Sequence, residues 1–149
     1  MIQLKKFCFA PVAASVISGV LFAASAIAAP SLQVEESAML AAKPTKVWKV
    51  IGDFAGLPGW HPAVAKTEII KGKTNAKGAV RVVETRDGAK LIEELLAYDG
   101  KTATMRYRII ESPLPVSDYV STLTVQAAGQ GSRVIWRSSF DAVRSDGVD

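Results

Sequence analysis

Six runs of β-type sequence, each divided from the next by a short patch of turn chemistry, are what most limits the fold of this 149-residue chain. The runs are Lys66 to Lys71, Ala79 to Thr85, Lys90 to Asp99, Thr102 to Glu111, Ser117 to Ala127 and Ser132 to Asp141. The separators are Lys77-Gly78, Asp87-Gly88, Asp99-Gly100, Pro113 with Pro115, and Gly129 with Gly131. A parallel crossover needs a dozen or more residues, so links this short predict antiparallel neighbours. Ahead of the six runs, Leu32 to Leu40 alternates, with Leu32, Val34, Ala38 and Leu40 on one side and Gln33, Glu35 and Ser37 on the other. That pattern predicts a half-buried strand. Pro44 then stands where a helix tolerates it, and Val47, Trp48, Val50, Ile51 and Phe54 follow at helical spacing. Gly52, Gly56, Pro58 and Gly59 break the pattern, leaving Leu57 to Pro62 as a short helical turn or a loop that carries Trp60 and His61. The predicted class is α+β: a curved antiparallel sheet of about seven strands with a short N-terminal helical segment.

The chain opens differently. Lys5 and Lys6 precede an uncharged apolar run from Phe7 to Ile27, followed by Ala26-Ile27-Ala28. A charged start, an apolar middle and an A-x-A site describe a secretory signal peptide. A retained anchor is the competing reading, since about 20 apolar residues span a bilayer, but the small flanking residues favour cleavage. The expected organisation is thus a signal peptide over residues 1–28 and one domain over 29–149, periplasmic, with no membrane anchor left after cleavage. Removing 28 residues leaves 121, enough for a single core. The formal charge falls from +4 to +2 with Lys5 and Lys6, and the remaining Lys and Arg form no long basic block, so no nucleic-acid partner is expected. Cys8 is the single cysteine and departs with the signal, which excludes disulfides, thiolate zinc sites and cysteine nucleophiles from the exported domain. No cofactor and no metal are implied.

The candidate site residues come from strand parity. Tyr119, Ser121, Leu123 and Val125 share a face; so do Val134, Trp136, Ser138 and Phe140, and likewise Met105, Tyr107 and Ile109. Apolar sets with polar atoms on Tyr107, Tyr119, Trp136 and Ser138 suit a ligand pocket, and suit an ordinary core as well. Glu93 sits between Leu91 and Leu95, where a carboxylate must be paired or neutralised. Arg81 is its partner if the Asp87-Gly88 turn has a three-residue loop; a two-residue loop sets Val82 opposite Glu93, and the other parity turns Glu93 to solvent. The pair either orients a polar ligand group or is structural. His61, the single histidine, is either a ligand contact or acid–base group or a loop residue packed on Trp60. Trp48 reads as core.

Val47-Trp48 with Ile51-Gly52-Asp53-Phe54, Gly59-Trp60-His61-Pro62, Glu93, Asp99, Tyr107-Arg108-Ile109, Pro113-Leu114-Pro115-Val116, Tyr119 and Ser132-Arg133-Val134-Ile135-Trp136 resemble, in that order, the SRPBCC superfamily. The superfamily is START-like and polyketide cyclase/dehydrase-like, and the nearest resemblance is to periplasmic proteins of the MxaD type. It implies a helix-grip fold, a seven-stranded sheet around a long C-terminal helix. No such helix follows the last strand run here, so the expected domain is C-terminally truncated. The resemblance carries three functions. The first is an exported binding protein for a small hydrophobic or amphipathic ligand, without catalysis, with Trp60, His61, Arg81, Glu93, Tyr107, Tyr119 and Trp136 as its ligand-binding residues. The second is an accessory protein partnering a periplasmic, methanol-type dehydrogenase. The third is a cyclase- or dehydratase-like enzyme using His61 and Glu93 as acid and base.

Overall fold

The computed structural model describes residues 32–143. In chain order they form β1 (Leu32–Leu40), α1 (Pro44–Ile51), a single 3-10 turn (Leu57–Gly59), β2 (Val64–Lys71), β3 (Val80–Thr85), β4 (Lys90–Asp99), β5 (Thr104–Glu111), β6 (Val116–Ala128) and β7 (Gly131–Ala142). The seven strands make one sheet in the order β1-β7-β6-β5-β4-β3-β2. All neighbours are antiparallel, as the short links require. Only the β1–β7 pairing joins strands distant in sequence. Register shifts in β2, β4, β5 and β6 bend the sheet, each placing an extra residue against its neighbour.

Residues directly opposite each other share a face. One row runs Leu95, Tyr107, Ser121, Ser138 across β4 to β7, and a second runs Met105, Leu123, Trp136 across β5 to β7. These rows define the inner face. α1 lies over its β6–β7 end with Val47 buried. The segment after α1 brings Phe54, Leu57 and Trp60 down onto its centre, where Phe54 and Leu95 have no solvent exposure. The helix stops at Ile51 rather than running on to Phe54. Gly52 caps it, its backbone lying so close to the Trp48 ring that a Cβ atom would stand 2.5 Å from ring carbons. Trp48 is half-buried and packs on Tyr98 and the core cluster. The segment from Leu57 takes the helical alternative as one 3-10 turn, followed by His61.

One expectation is corrected. β1 is not half-buried: every one of its nine residues is exposed, the apolar Leu32, Val34 and Leu40 at 41–46%. As an edge strand it pairs only with β7. None of the described elements packs on its inner side, so alternation in sequence did not translate into burial. The signal peptide and the last residues, Ser145 to Asp149, lie outside the described residues, as does any bearing they have on truncation. Among the described residues the one α-helix is eight residues long, and no helix is long and apolar enough to cross a membrane.

Candidate functional site

The β3–β4 turn decides what the inner face carries. Thr85 N–H donates to Ala89 O, so Arg86, Asp87 and Gly88 form a three-residue loop, with Gly88 at φ +90°, a conformation that favours glycine. That loop sets Arg81 opposite Glu93 and Val82 opposite Ile92. Both charged side chains are therefore buried. Arg81 Nε donates to Glu93 Oε2 at 2.6 Å, and Nη1 donates to the backbone oxygen of Phe54. The guanidinium lies 4.1 Å from the Phe54 ring centroid and 5.1 Å from that of Tyr107. Carboxylate, carbonyl and ring faces together replace the water that burial removes.

Beside this pair runs a polar chain through the apolar floor. Trp136 Nε1–H donates to Tyr107 Oη at 3.0 Å and to Ser121 Oγ at 2.6 Å. Ser121 Oγ donates to Arg137 O at 3.0 Å and lies 2.9 Å from Ser138 Oγ, which lies 2.8 Å from Tyr119 Oη. Since the Ser121 proton goes to Arg137 O, Ser138 donates to Ser121 and the Tyr119 hydroxyl donates to Ser138. The outermost member of the chain is thus a ring that faces the cavity. Burial, with the Glu93 charge adding to it, pushes the Tyr107 hydroxyl well above its ordinary value, so it stays protonated and neutral.

The cavity itself, of about 160 Å³, is lined by Leu57, His61, Val83, Arg81, Glu93, Tyr107, Leu114, Tyr119 and Trp136 among others. Its wall is mainly apolar, with the charged pair at one side. A dry pocket of similar size holds a single benzene-sized ring. His61 meets Trp136 edge to face at 5.7 Å, and Trp60 stands behind both, 5.7 Å from His61 and 5.8 Å from Trp136. Trp60 borders a separate small void of about 10 Å³ rather than this cavity. The Trp60 Nε1 and His61 Nδ1 atoms are buried and have no hydrogen-bond partner among the described residues.

All seven residues singled out from sequence therefore fall in one region of the inner face. Parity brings Arg81, Glu93, Tyr107, Tyr119 and Trp136 there, and the loop after the 3-10 turn brings Trp60 and His61. Sequence reasoning missed Phe54 as the platform under Arg81 and Ser121 as the hub of the hydroxyl chain. Phe54 gave no strand signal, being read as part of the helix, and Ser121 gave only its parity. Asn75 was missed too: at φ 61°, its Oδ1 accepts the Phe54 N–H at 2.8 Å and so fixes the segment that closes the site. No group of His, Cys, Asp and Glu among the described residues is arranged to hold a metal ion.

A curved sheet with a helical cover over part of its inner face, and a mainly apolar cavity beside a buried ion pair, is an architecture found with many chemistries. By sequence, residues 31–149 match the family described as polyketide cyclase/dehydrase and lipid transport, and the chain belongs to that family. Among solved structures it is similar to the protein XoxI of Bacillus cereus, at 30% identity and TM-score 0.70 over 76% of this chain and 78% of that one. An uncharacterised protein of Bacillus thuringiensis is similar at 30% identity and TM-score 0.69, over 77% and 82%. The Zhui aromatase/cyclase of Streptomyces sp. R1128 shares the fold at 19% identity and TM-score 0.66, over 78% and 70%. No curated protein sequence matches the chain.

Proposed function

We propose that the protein is an exported binding protein that encloses a small hydrophobic or amphipathic molecule against the inner face and performs no chemistry on it. The observation that carries this reading is the 160 Å³ apolar cavity whose polar groups are spoken for. Glu93 is held by Arg81 at 2.6 Å, so its carboxylate is committed to a buried cation rather than poised as a base, which argues against the enzyme reading through His61 and Glu93. The buried Nδ1 of His61, a residue of the cavity wall, has no hydrogen-bond partner among the described residues and suits a ligand with a single hydroxyl or carbonyl. Within the family, the motifs around Trp60-His61-Pro62 and Pro113-Leu114-Pro115 support placement near the MxaD-type proteins. The accessory role with a periplasmic dehydrogenase rests on that likeness alone.

Binding of a panel of environment-sensitive hydrophobic dyes tests the site. Tyr119→Phe and His61→Ala are expected to weaken binding by about two- to tenfold, the cost of a typical hydrogen bond, while thermal unfolding changes little. If both variants bind the panel like the parent, the cavity is core and the reading fails.

The export half of the proposal rests on Lys5, Lys6 and Ala26-Ile27-Ala28. Sequencing the N-terminus of the protein from a periplasmic fraction is expected to begin just after Ala28. Intact Met1 recovered from membranes would instead make the segment an anchor.

A further inference from the structure

The charges of this domain are unevenly matched along the strands. Elsewhere cations meet acids: Lys66 with Glu68 along β2, and, between strands, Lys90 with Glu84, Arg108 with Glu94, and Arg133 and Arg137 with Glu35. At the end where α1 sits, they do not. α1 and its N-cap carry Lys43, Lys46 and Lys49; the end of β2 and the loop to β3 carry Lys71, Lys73 and Lys77; the β4–β5 turn carries Lys101. All seven are exposed, and none has an ion-pair partner among the described residues.

These segments are joined into one surface. Thr74 Oγ1 donates to Asp53 Oδ1 at 3.1 Å and Phe54 N–H to Asn75, which ties the β2–β3 loop to the end of α1. Trp48 packs on Tyr98, 5.7 Å between centroids, and lies against Gly100, which ties the β4–β5 turn to the side of α1. The two acids on this surface, Asp53 and Asp99, are turned into their own loops. Asp53 accepts from Ala55 N–H and Thr74; Asp99 accepts from the N–H groups of Lys101 and Thr102. Neither forms an ion pair with a lysine side chain, although the Lys101 charge acts on Asp99.

We propose that this end of the domain is a docking surface for an anionic phospholipid bilayer. The uncompensated charge is entirely lysine, a set of mobile point charges on long stems that suits a fluid array of headgroups. Nucleic-acid and phosphopeptide sites instead draw on arginine for bidentate contacts, and no arginine stands among these seven cations. On α1, Lys46, Lys49 and Val50 share the outward face at i, i+3 and i+4, and Val50 is 58% exposed, so the helix lays one apolar side chain among the cations. The cavity's lining includes Thr85, Leu91 and Leu114, at the opposite ends of the strands. A domain docked by its lysines therefore presents its cavity to the aqueous side.

The full chain, mixed with vesicles of phosphatidylglycerol in phosphatidylcholine at low salt and sedimented, is expected to bind these and not pure phosphatidylcholine. A lysine near such a surface contributes about fivefold to partitioning, so Lys46→Glu/Lys49→Glu/Lys73→Glu is expected to lose at least about a hundredfold. Lys66→Glu/Lys90→Glu, which alters lysines already paired with Glu68 and Glu84, is expected to stay within about twofold. Binding is expected to fall as salt shortens the Debye length below about 10 Å. The proposal is overturned if the chain shows no preference for anionic vesicles, or if the triple variant binds like the parent. Tighter binding to heparin than to the vesicles also overturns it, and would assign the surface to a soluble polyanion.

Discussion

Replacing Glu93 with alanine is expected to destabilise the domain by about 3–5 kcal/mol, the range for removing one partner of a buried ion pair. The Arg81 side chain is 3% exposed and that of Glu93 8%, so neither charge has water to fall back on. Without the carboxylate, Arg81 keeps the Phe54 carbonyl and two ring faces but carries a full charge in an apolar floor. Arg81→Met combined with Glu93→Leu separates this from ordinary loss of packing. That double variant removes both charges while retaining bulk, and is expected to recover most of the stability lost by the single change. Urea unfolding of the three proteins measures it. A Glu93→Ala cost below about 1 kcal/mol, the range of a surface pair, would mean that water reaches the site.

Phe54→Ala is expected to cost about 3–5 kcal/mol, as for other large aromatic truncations in cores. Phe54 has no exposure, packs beside Tyr107 at 6.3 Å between centroids, and lies under the Arg81 guanidinium. Its backbone is anchored as well, accepting from Arg81 and donating to Asn75. The change thus opens a void at the junction between the sheet and its cover. Dye binding is expected to fall together with stability, because the segment after Phe54 carries Leu57, Trp60 and His61 to the cavity. Phe54→Leu, which keeps most of the volume, is expected to retain more of both than alanine does. Equal losses in the two variants would point to the ring rather than to the filled volume.

Much of this architecture could be read from the chain because β-sheet parity is a local property. Once Asp87-Gly88 and Asp99-Gly100 mark turns, alternation alone puts Tyr107, Tyr119 and Trp136 on one side, and the bulges in β4 and β6 do not move them off it. What lay beyond reading was whatever depends on a count or on an absent neighbour. The partner of Glu93 turned on whether the β3–β4 loop has two residues or three. The exposure of β1 turned on there being no described element packed on its inner side, which no pattern within Leu32–Leu40 encodes. Phe54 and Asn75 belong to the cover, where backbone hydrogen bonds between a loop and a linker set positions without periodicity.

The position of β1 also ranks the parts of the molecule by how readily they come apart. Its hydrogen bonds run to β7 alone, its side chains bury little, and Ala41 to Lys43 are all that link it to α1. Peeling it away costs backbone pairing but almost no hydrophobic contact, so it belongs to the low end of local opening energies. The remaining six strands keep Trp136, Ser121, Tyr107 and the Arg81–Glu93 pair in register, with β7 as the new rim. The binding floor can thus persist in a partly opened molecule whose first strand exchanges its amides with water.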